Sequence, residues 1–339
     1  MFSTAVRRHH GGRLAGLLIG LAILITVSGC GDDHRGTVSR GPIDTLRIGL
    51  IGSGNILTGP IGLANQRGEL IKALKPLGVN SVEVFSFPNG PDLNQALIGG
   101  RLDVASYGDT PALVARGSGL NTRLLAINRF NLDAGVVAKA PSIRSLADLS
   151  GKRIAVQKGS YIDRYLQGAL QERNISATLI HLYTQDQEAP LSSGDIDAAA
   201  VPDTLPAASL QTFQRKGFHL VDSVRRDHIG LAGTSLTVSS AEFLSAHPEF
   251  GAAWQRLEAE SARYARTHWT DYLNFEIGNS KAPADAVRAA ANPDSFAEEP
   301  FPDAGLSLLK GTKKFLADQG NLKRDFSLDD WMYHGENRT

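Results

Sequence analysis

Residues 145–159 read SLADLSGKRIAVQKG and contain the signals of one local fold. Residues 145–149 predict a short helix closed by Gly151, and the apolar run 153–157 predicts a strand. Gly159 and Ser160 then lead into residues 161–173, whose apolar spacing predicts a helix. A strand that passes through a glycine turn into a helix is the repeating unit of α/β folds.

The same alternation extends in both directions along the chain. Further strands are predicted at 45–52, 81–87, 104–107, 122–128, 134–139, 177–183, 195–201, 218–222 and 234–239. Helical patterns lie at 61–77, 91–99, 110–116, 205–215, 240–246, 248–268, 284–291 and 304–317. The pattern indicates two α/β units in series, each around a mostly parallel sheet, with a polar, irregular tail from Gly320.

The N-terminal residues have the composition of an export leader. Three arginines (Arg7, Arg8 and Arg13) precede the apolar run 14–27, and no acidic residue occurs before Asp32. The run is shorter than the roughly 20 residues that a membrane span needs. Cys30, the only cysteine, follows Val-Ser-Gly and resembles the lipobox cysteine of bacterial lipoproteins. We therefore expect lipidation at Cys30, with Sec and twin-arginine export both open.

Composition excludes several function classes. Removing the three leader arginines from the 35 basic residues leaves 32, against 35 acidic residues, so no basic field exists to bind nucleic acid. Scattered histidines predict no metal site, and we expect no cofactor. Gly49, Gly52 and Gly54 lack the dinucleotide-binding spacing. The sequence shows no nucleophile–base constellation, so we expect a protein that is not an enzyme.

Four loops follow predicted strands at the edge where α/β sheets bind ligands. Helices that begin there direct backbone N–H groups and a positive dipole end toward an anion. The candidate binding residues in these loops are Ser53, Gly54 and Asn55; Gly108, Asp109 and Thr110; Gly159, Ser160 and Tyr161; and Asp203 and Thr204. Arg129, at a predicted strand end, adds a cation that can pair with an anion. This set predicts a site for a small oxyanion.

Each candidate also has a purely structural interpretation. Ser160 and Asp109 could each only cap a helix, and Ser53 and Asn55 could only satisfy a tight turn. Arg129 could be solvated. A carboxylate at position 109 repels an anion, so either it turns away or the ligand carries a cationic group. These alternatives stay open at the level of sequence.

Six segments in order resemble the nitrate/sulfonate/taurine-type substrate-binding proteins of ABC importers. They are residues 45–52, 87–91 with 97–103, 107–111, 145–159, 194–197 and 243–249, within a resemblance that spans about 44–291. The resemblance implies a type II-like periplasmic-binding-protein fold, with a ligand cleft between two hinged lobes and extra C-terminal helices. The chain departs from the family at 201–204 (VPDT), where members often carry a Trp-Asp-Pro-like segment.

The resemblance also implies the domain boundaries. We expect a lipoprotein signal peptide at 1–29, a flexible tether at 30–43, and a C-terminal tail at 326–339. Lobe 1 comprises 44–130 plus 233–325, and lobe 2 comprises 131–232. The chain is expected to cross between lobes near 129–134 and 228–233.

The function implied by the resemblance is solute capture outside the cytoplasm. A monomeric lipoprotein, anchored to the cell membrane by its lipid on the periplasmic or outer face, delivers a small organic anion of the sulfonate, taurine or nitrate class to an ABC permease and its ATPase. The alternatives are a pyrimidine-precursor-binding protein, an enzyme of the same fold, and the ligand-binding component of a sensor.

Overall fold

The computed structural model describes residues 41–335, so the predicted leader and Cys30 lie outside the described residues. The strands in this range are β1 (Asp44–Ile51), β2 (Val79–Phe87), β3 (Val104–Gly108), β4 (Thr122–Ala138), β5 (Arg153–Val156), β6 (Thr178–His181), β7 (Ala198–Asp203), β8 (His219–Ser223) and β9 (Gly233–Ser240).

The helices in the same range alternate with the strands as far as β9 and then continue without them. They are α1 (Gly59–Gln66), α2 (Glu69–Leu74), α3 (Gly90–Ile98), α4 (Asp109–Gly117), α5 (Tyr161–Glu172), α6 (Glu188–Ser193), α7 (Ser209–Arg215), α8 (Val224–Asp227), α9 (Ala241–Ala246), α10 (Phe250–Thr267), α11 (Trp269–Asn279), α12 (Ala284–Ala290), α13 (Asp303–Asp318) and α14 (Leu328–Trp331). Among residues 41–335, no helix combines the length and hydropathy that crossing a bilayer requires.

Strand β4 joins the two parts of the sheet. The strand order is β2-β1-β3-β9-β4-β7-β5-β6, with β8 also paired to β4. Residues 122–132 of β4 pair with β9, whereas residues 133–138 pair with β7 and β8. We call β1, β2, β3, β9 and the first part of β4 the first section, and β5 to β8 with the rest of β4 the second section.

The change of partner in β4 occurs without a break in the strand. Two strands, 122–128 and 134–139, were expected from the sequence, and this expectation is wrong because strand pairing continues through residues 129–133. Asn131, next to the change of partner, has a left-handed φ of +54°, which asparagine tolerates better than most residues. The crossing is therefore one continuous strand.

Strand direction differs from the mostly parallel arrangement expected. β1 runs parallel to β2 and β3, and β5 runs parallel to β6 and β7. The pairings of β9 with β3 and β4, and of β4 with β7 and β8, are antiparallel. The sheet is thus parallel among β1, β2 and β3 and among β5, β6 and β7, and antiparallel wherever β4 or β9 takes part.

Each section buries aliphatic side chains on its strands beneath the flanking helices. In the first section Leu46 and Ile48 of β1 pack with Leu70 of α2 and Trp254 of α10. In the second, residues of β5 such as Ile154 pack with the apolar face of α5. Strands covered by helices on both faces carry near-continuous apolar runs, as β5 and β7 do.

Three helical predictions need correction. The helix expected over 61–77 is divided into α1, α2 and a 3-10 turn because Gly68 adopts a left-handed φ of +76°. The helix expected over 205–215 begins only at Ser209, since Ala208 is left-handed at +45°. Residues 269–279, which the pattern left unassigned, form α11.

The tail was expected to be irregular from Gly320, and this is wrong for residues 328–331, which form α14. Trp331 at the end of this helix is fully buried, and its Nε1 donates to Thr122 Oγ1 at 3.2 Å. Phe326 packs edge-on against the indole. The described part of the tail therefore completes the core of the first section, although most of its residues are polar.

Glu258 of α10 is a buried carboxyl group that lies against β4 and β9. The Thr237 hydroxyl donates to its Oε1 at 2.6 Å, and only 7% of the residue is exposed. Burial raises the pKa of Glu258 to about 7, although the hydrogen bond from Thr237 and the nearby polar groups of Trp254 and Asn128 oppose this change.

The raised pKa of Glu258 predicts a loss of stability as pH rises. Unfolded, this group titrates near 4.5, so between that value and 7 the folded state keeps a proton that the unfolded state has released. We expect the free energy of unfolding to fall by about 2 kcal/mol more in the wild type than in Glu258→Gln between pH 5 and pH 7. Urea unfolding across this range measures the difference, and parallel pH profiles would contradict the prediction.

Candidate functional site

The switch of β4 between sections brings several predicted site residues together. Asp133 and Asp203 are register partners on β4 and β7, and the Tyr161 hydroxyl of α5 donates to the Asp133 carbonyl at 3.0 Å. Thr204 and Arg129 both lie close enough to Tyr161 to lower the pKa of its hydroxyl, which burial raises. We call Arg129, Asp133, Tyr161, Asp203 and Thr204 the crossing cluster.

Arg129 provides the positive charge of the crossing cluster. Its guanidinium carbon lies 5.5 Å from the centroid of the Phe296 ring, and one terminal nitrogen donates weakly to the Leu205 carbonyl at 3.4 Å. Its Nε is buried and has no hydrogen-bond partner among residues 41–335. A half-buried guanidinium with an unused N–H can bind an oxyanion through a charge-assisted hydrogen bond.

The acidic side of the cluster is formed by two buried carboxyl groups. Asp203 is 4% exposed, and its Oδ2 accepts from Gln211 Nε2 at 2.8 Å, whereas its Oδ1 has no partner in the described chain. Asp133 pairs with Arg225 at 3.2 Å. Burial raises the pKa of both groups. The cluster can therefore accept a hydrogen bond from a ligand as well as bind an anion.

Two residues of α11 that the sequence did not predict lie near Arg129. Glu276 is fully buried, and its Oε1 accepts from the backbone N–H of Gly59 at 2.7 Å. Tyr272 lies beside this carboxylate, and burial raises the pKa of both groups. The available signal was the four-residue spacing of Tyr272 and Glu276 in a mostly apolar run, which puts both on one helix face.

Asp109 is held entirely by protein groups. It has no exposed surface, and its Oδ2 accepts from the backbone and hydroxyl of Thr234 at 2.9 and 3.1 Å and from Thr312 at 3.3 Å. Arg164 of α5 lies 3.5 Å away with only 2% of its side chain exposed. The other carboxylate oxygen of Asp109, Oδ1, accepts from Thr110, which is also buried. Asp109 therefore ties α4 to α5, β9 and α13.

The remaining predicted residues lie mostly in turns and caps. Asn55 exchanges two hydrogen bonds with Ser86 of β2, at 3.0 and 2.8 Å, within an exposed loop that includes Ser53 and Gly54. Ser160 Oγ caps α5 by accepting from the Asp163 N–H at 3.3 Å.

The two glycines of these loops differ in surroundings. Gly159 is exposed, and its N–H donates to the Asp163 carboxylate at 2.9 Å. Gly108 is half-buried beside the Tyr161 ring, where an added Cβ would lie 3.9 Å from a ring carbon. Gly108 is thus the member of its loop that borders the crossing cluster.

Two cavities found in the structure do not include a predicted site residue. The larger, of about 380 Å³, lies between α1, α10 and α11 and is lined by residues such as Arg67, Tyr264 and Phe275. The smaller, of about 10 Å³, borders Glu258. Within residues 41–335, no group of three or more His, Asp or Glu side chains is placed to hold a metal ion.

Comparison with known proteins gives matches over the central part of the chain. The sequence pattern of a family described as NMT1/THI5 like matches residues 81–269. An aliphatic sulfonates-binding protein of Escherichia coli is 31% identical over 174 residues, which cover 50% of this chain and 51% of that protein. The chain therefore spans about half the length of this curated relative.

Solved structures share the fold over most of the chain. The periplasmic aliphatic sulphonate binding protein from Escherichia coli superposes with a TM-score of 0.69 at 19% identity, covering 86% of this chain and 97% of that one. The desulfurization enzyme DSZB superposes with a TM-score of 0.66 at 19% identity, covering 86% and 97%. The α/β periplasmic-binding-protein fold expected from the sequence is confirmed.

Proposed function

The chain belongs to the NMT1/THI5-like family, and from this premise we propose that it is an extracytoplasmic solute-binding lipoprotein that delivers a small organic anion to an ABC permease. The sulfonate-binding relatives support this proposal through sequence over half the chain and through fold over most of it. A sulfonate is the ligand class that we favour.

The observation that carries the proposal is the environment of Arg129. Its guanidinium lies where β4 passes between the two sections, beside Tyr161 and Phe296, and its Nε is buried without a partner in the described chain. A cation in such surroundings gains from an anion that replaces water, because hydrogen bonds to charged groups are stronger in a medium of low polarity. A sulfonate oxygen supplies the missing acceptor.

The proposed mechanism is closure of two lobes over the ligand. We propose lobes of 44–130 plus 233–325 and of 131–232, with the crossing cluster at their junction. Hydrogen bonds that join these segments include Asn89 Nδ2 to the Tyr183 hydroxyl and Gln157 Nε2 to the Pro88 carbonyl, both at 3.1 Å. A ligand that contacts both lobes favours the closed state, because only that state provides both sets of contacts.

We further propose that Cys30 is lipidated and that residues 30–43 tether the protein to the outer face of the membrane. A monomer anchored in this way can capture solute and present it to a permease that works with an ATPase. The periplasmic relative supports the extracytoplasmic location.

Catalysis is the competing function, since a desulfurization enzyme has the same fold. We favour binding because the crossing cluster contains neither a cysteine, a serine nor a histidine. The only cysteine of the sequence is Cys30, which our proposal assigns to lipid attachment. Within the cluster, Thr204 is the only aliphatic hydroxyl, and no histidine accompanies it as a base.

A ligand panel tests the proposed function. Purified protein without its lipid is heated with alkanesulfonates, nitrate or sulfate. A bound ligand at a hundredfold excess over its Kd is expected to stabilise the folded state by about 2.7 kcal/mol. Calorimetric titration then gives the affinity. If no member of the panel shifts the melting temperature, the small-anion ligand class is wrong.

A further inference from the structure

Glu276 occupies the place at which the N-terminus of α1 would receive an anion. Pro60 in the first turn has no N–H, and the Gly62 N–H is used by the Thr58 carbonyl at 3.2 Å. The Gly59 N–H donates to Glu276 Oε1 at 2.7 Å. Since a helix N-terminus favours negative charge, this end of α1 is already stabilised by a carboxylate of the protein itself.

The same carboxylate has an unused acceptor. Glu276 has no exposed surface, yet its Oε2 has no hydrogen-bond partner among residues 41–335. The Tyr272 hydroxyl is near enough to lower the pKa of Glu276 without meeting hydrogen-bond geometry. The positive charge of Arg129 also lowers this pKa. A buried acceptor without a donor is unfavourable, so this position favours a ligand group that carries one.

We infer that Glu276 determines which solutes the site accepts. The sulfonate of the ligand binds Arg129, and the other end of the ligand places a hydroxyl or similar uncharged donor against Glu276 Oε2. A ligand with a second anion at that end is rejected, because two carboxylates in one buried place repel each other. The inference rests on the proposed function and adds to it a basis for selectivity among sulfonates.

Three short sulfonates of similar size test the inference by calorimetric titration: ethanesulfonate, 2-hydroxyethanesulfonate and sulfoacetate. We expect wild-type protein to bind 2-hydroxyethanesulfonate about tenfold more tightly than ethanesulfonate and at least about tenfold more tightly than sulfoacetate. Glu276→Gln keeps an acceptor for Gly59 and removes the charge. In this variant the discrimination against sulfoacetate should fall at least about fivefold.

Glu260→Gln serves as the matched control, since Glu260 is exposed on the neighbouring helix α10. It should keep the wild-type ratios, and thermal melts of both variants confirm that they are folded. Equal affinities of the three sulfonates for the wild type, or an unchanged sulfoacetate ratio in folded Glu276→Gln, would overturn the role of Glu276 and leave the proposed function standing. Binding of none of the three by the wild type would overturn the role of Glu276, and the proposed function would then be decided by the panel of alkanesulfonates, nitrate and sulfate.

Discussion

Asp109→Ala is expected to lower the free energy of unfolding by about 3–5 kcal/mol, because it leaves a buried charge without its partner. Arg164 is 2% exposed, its Nε already lacks a partner in the described chain, and its terminal nitrogen lies 3.5 Å from Asp109. The hydroxyls of Thr234 and Thr312 would lose their acceptor at the same time. Urea unfolding followed by tryptophan fluorescence measures the loss.

Asp303→Ala is the matched control for this variant. Asp303 is also the first residue of a helix, α13, but it is exposed, so its removal should cost no more than about 1 kcal/mol through the helix dipole. Replacing Asp109 by Leu together with Arg164 by Met should recover much of the stability, since no buried charge remains. Equal losses in Asp109→Ala and Asp303→Ala would show that the buried pair contributes little.

The sequence was most informative where structure depends on near neighbours. In residues 145–159 the short helix is fixed by the Asp148 carboxylate, which accepts from the Ser145 N–H three residues away at 2.9 Å. The strand β5 and the helix α5 then follow within the predicted limits, to within one residue at each end. Local hydrogen bonds of this kind are visible in the spacing of residue types.

The candidate site was less predictable because its contacts join distant parts of the chain. The carboxylate of Asp109 was expected either to face the ligand or to cap a helix, and its burial depends on Thr234 and Thr312, more than 120 residues away. Glu276 reaches Gly59 across 217 positions. A strand or loop pattern predicts in which element a residue lies, whereas tertiary packing determines which partner its side chain contacts.

Arg129 illustrates both what the sequence predicts and what depends on tertiary packing. The pattern placed it at the end of a strand near the expected crossing between lobes, and the structure places it in the continuous strand β4, close to the point where β4 changes partners from β9 to β7. Its neighbours Tyr161, Phe296 and Glu276 come from three other parts of the chain. The residue type could be proposed from the sequence, but its unused Nε could not.

Arg129→Ala is expected to weaken binding of the best sulfonate in the panel by about 2–5 kcal/mol, which is roughly a 30- to 4,000-fold rise in Kd. The loss is large because the anion would be desolvated beside Tyr161 without its counter-charge, while the buried carboxylate of Glu276 remains nearby. Arg129→Lys keeps the charge and loses the planar guanidinium, so its Kd should lie between those of the wild type and Arg129→Ala. Calorimetric titration measures each Kd.

Arg123→Ala provides the control for this prediction, because Arg123 lies on the same strand with its side chain exposed. It removes an equal charge and should change Kd by less than about threefold. Thermal melts without ligand separate a loss of binding from a loss of folding. If folded Arg129→Ala binds the sulfonate as tightly as the Arg123 variant does, the anion is held elsewhere, and the N–H groups of Ser53 and Gly54 in the exposed loop become the donors to test next.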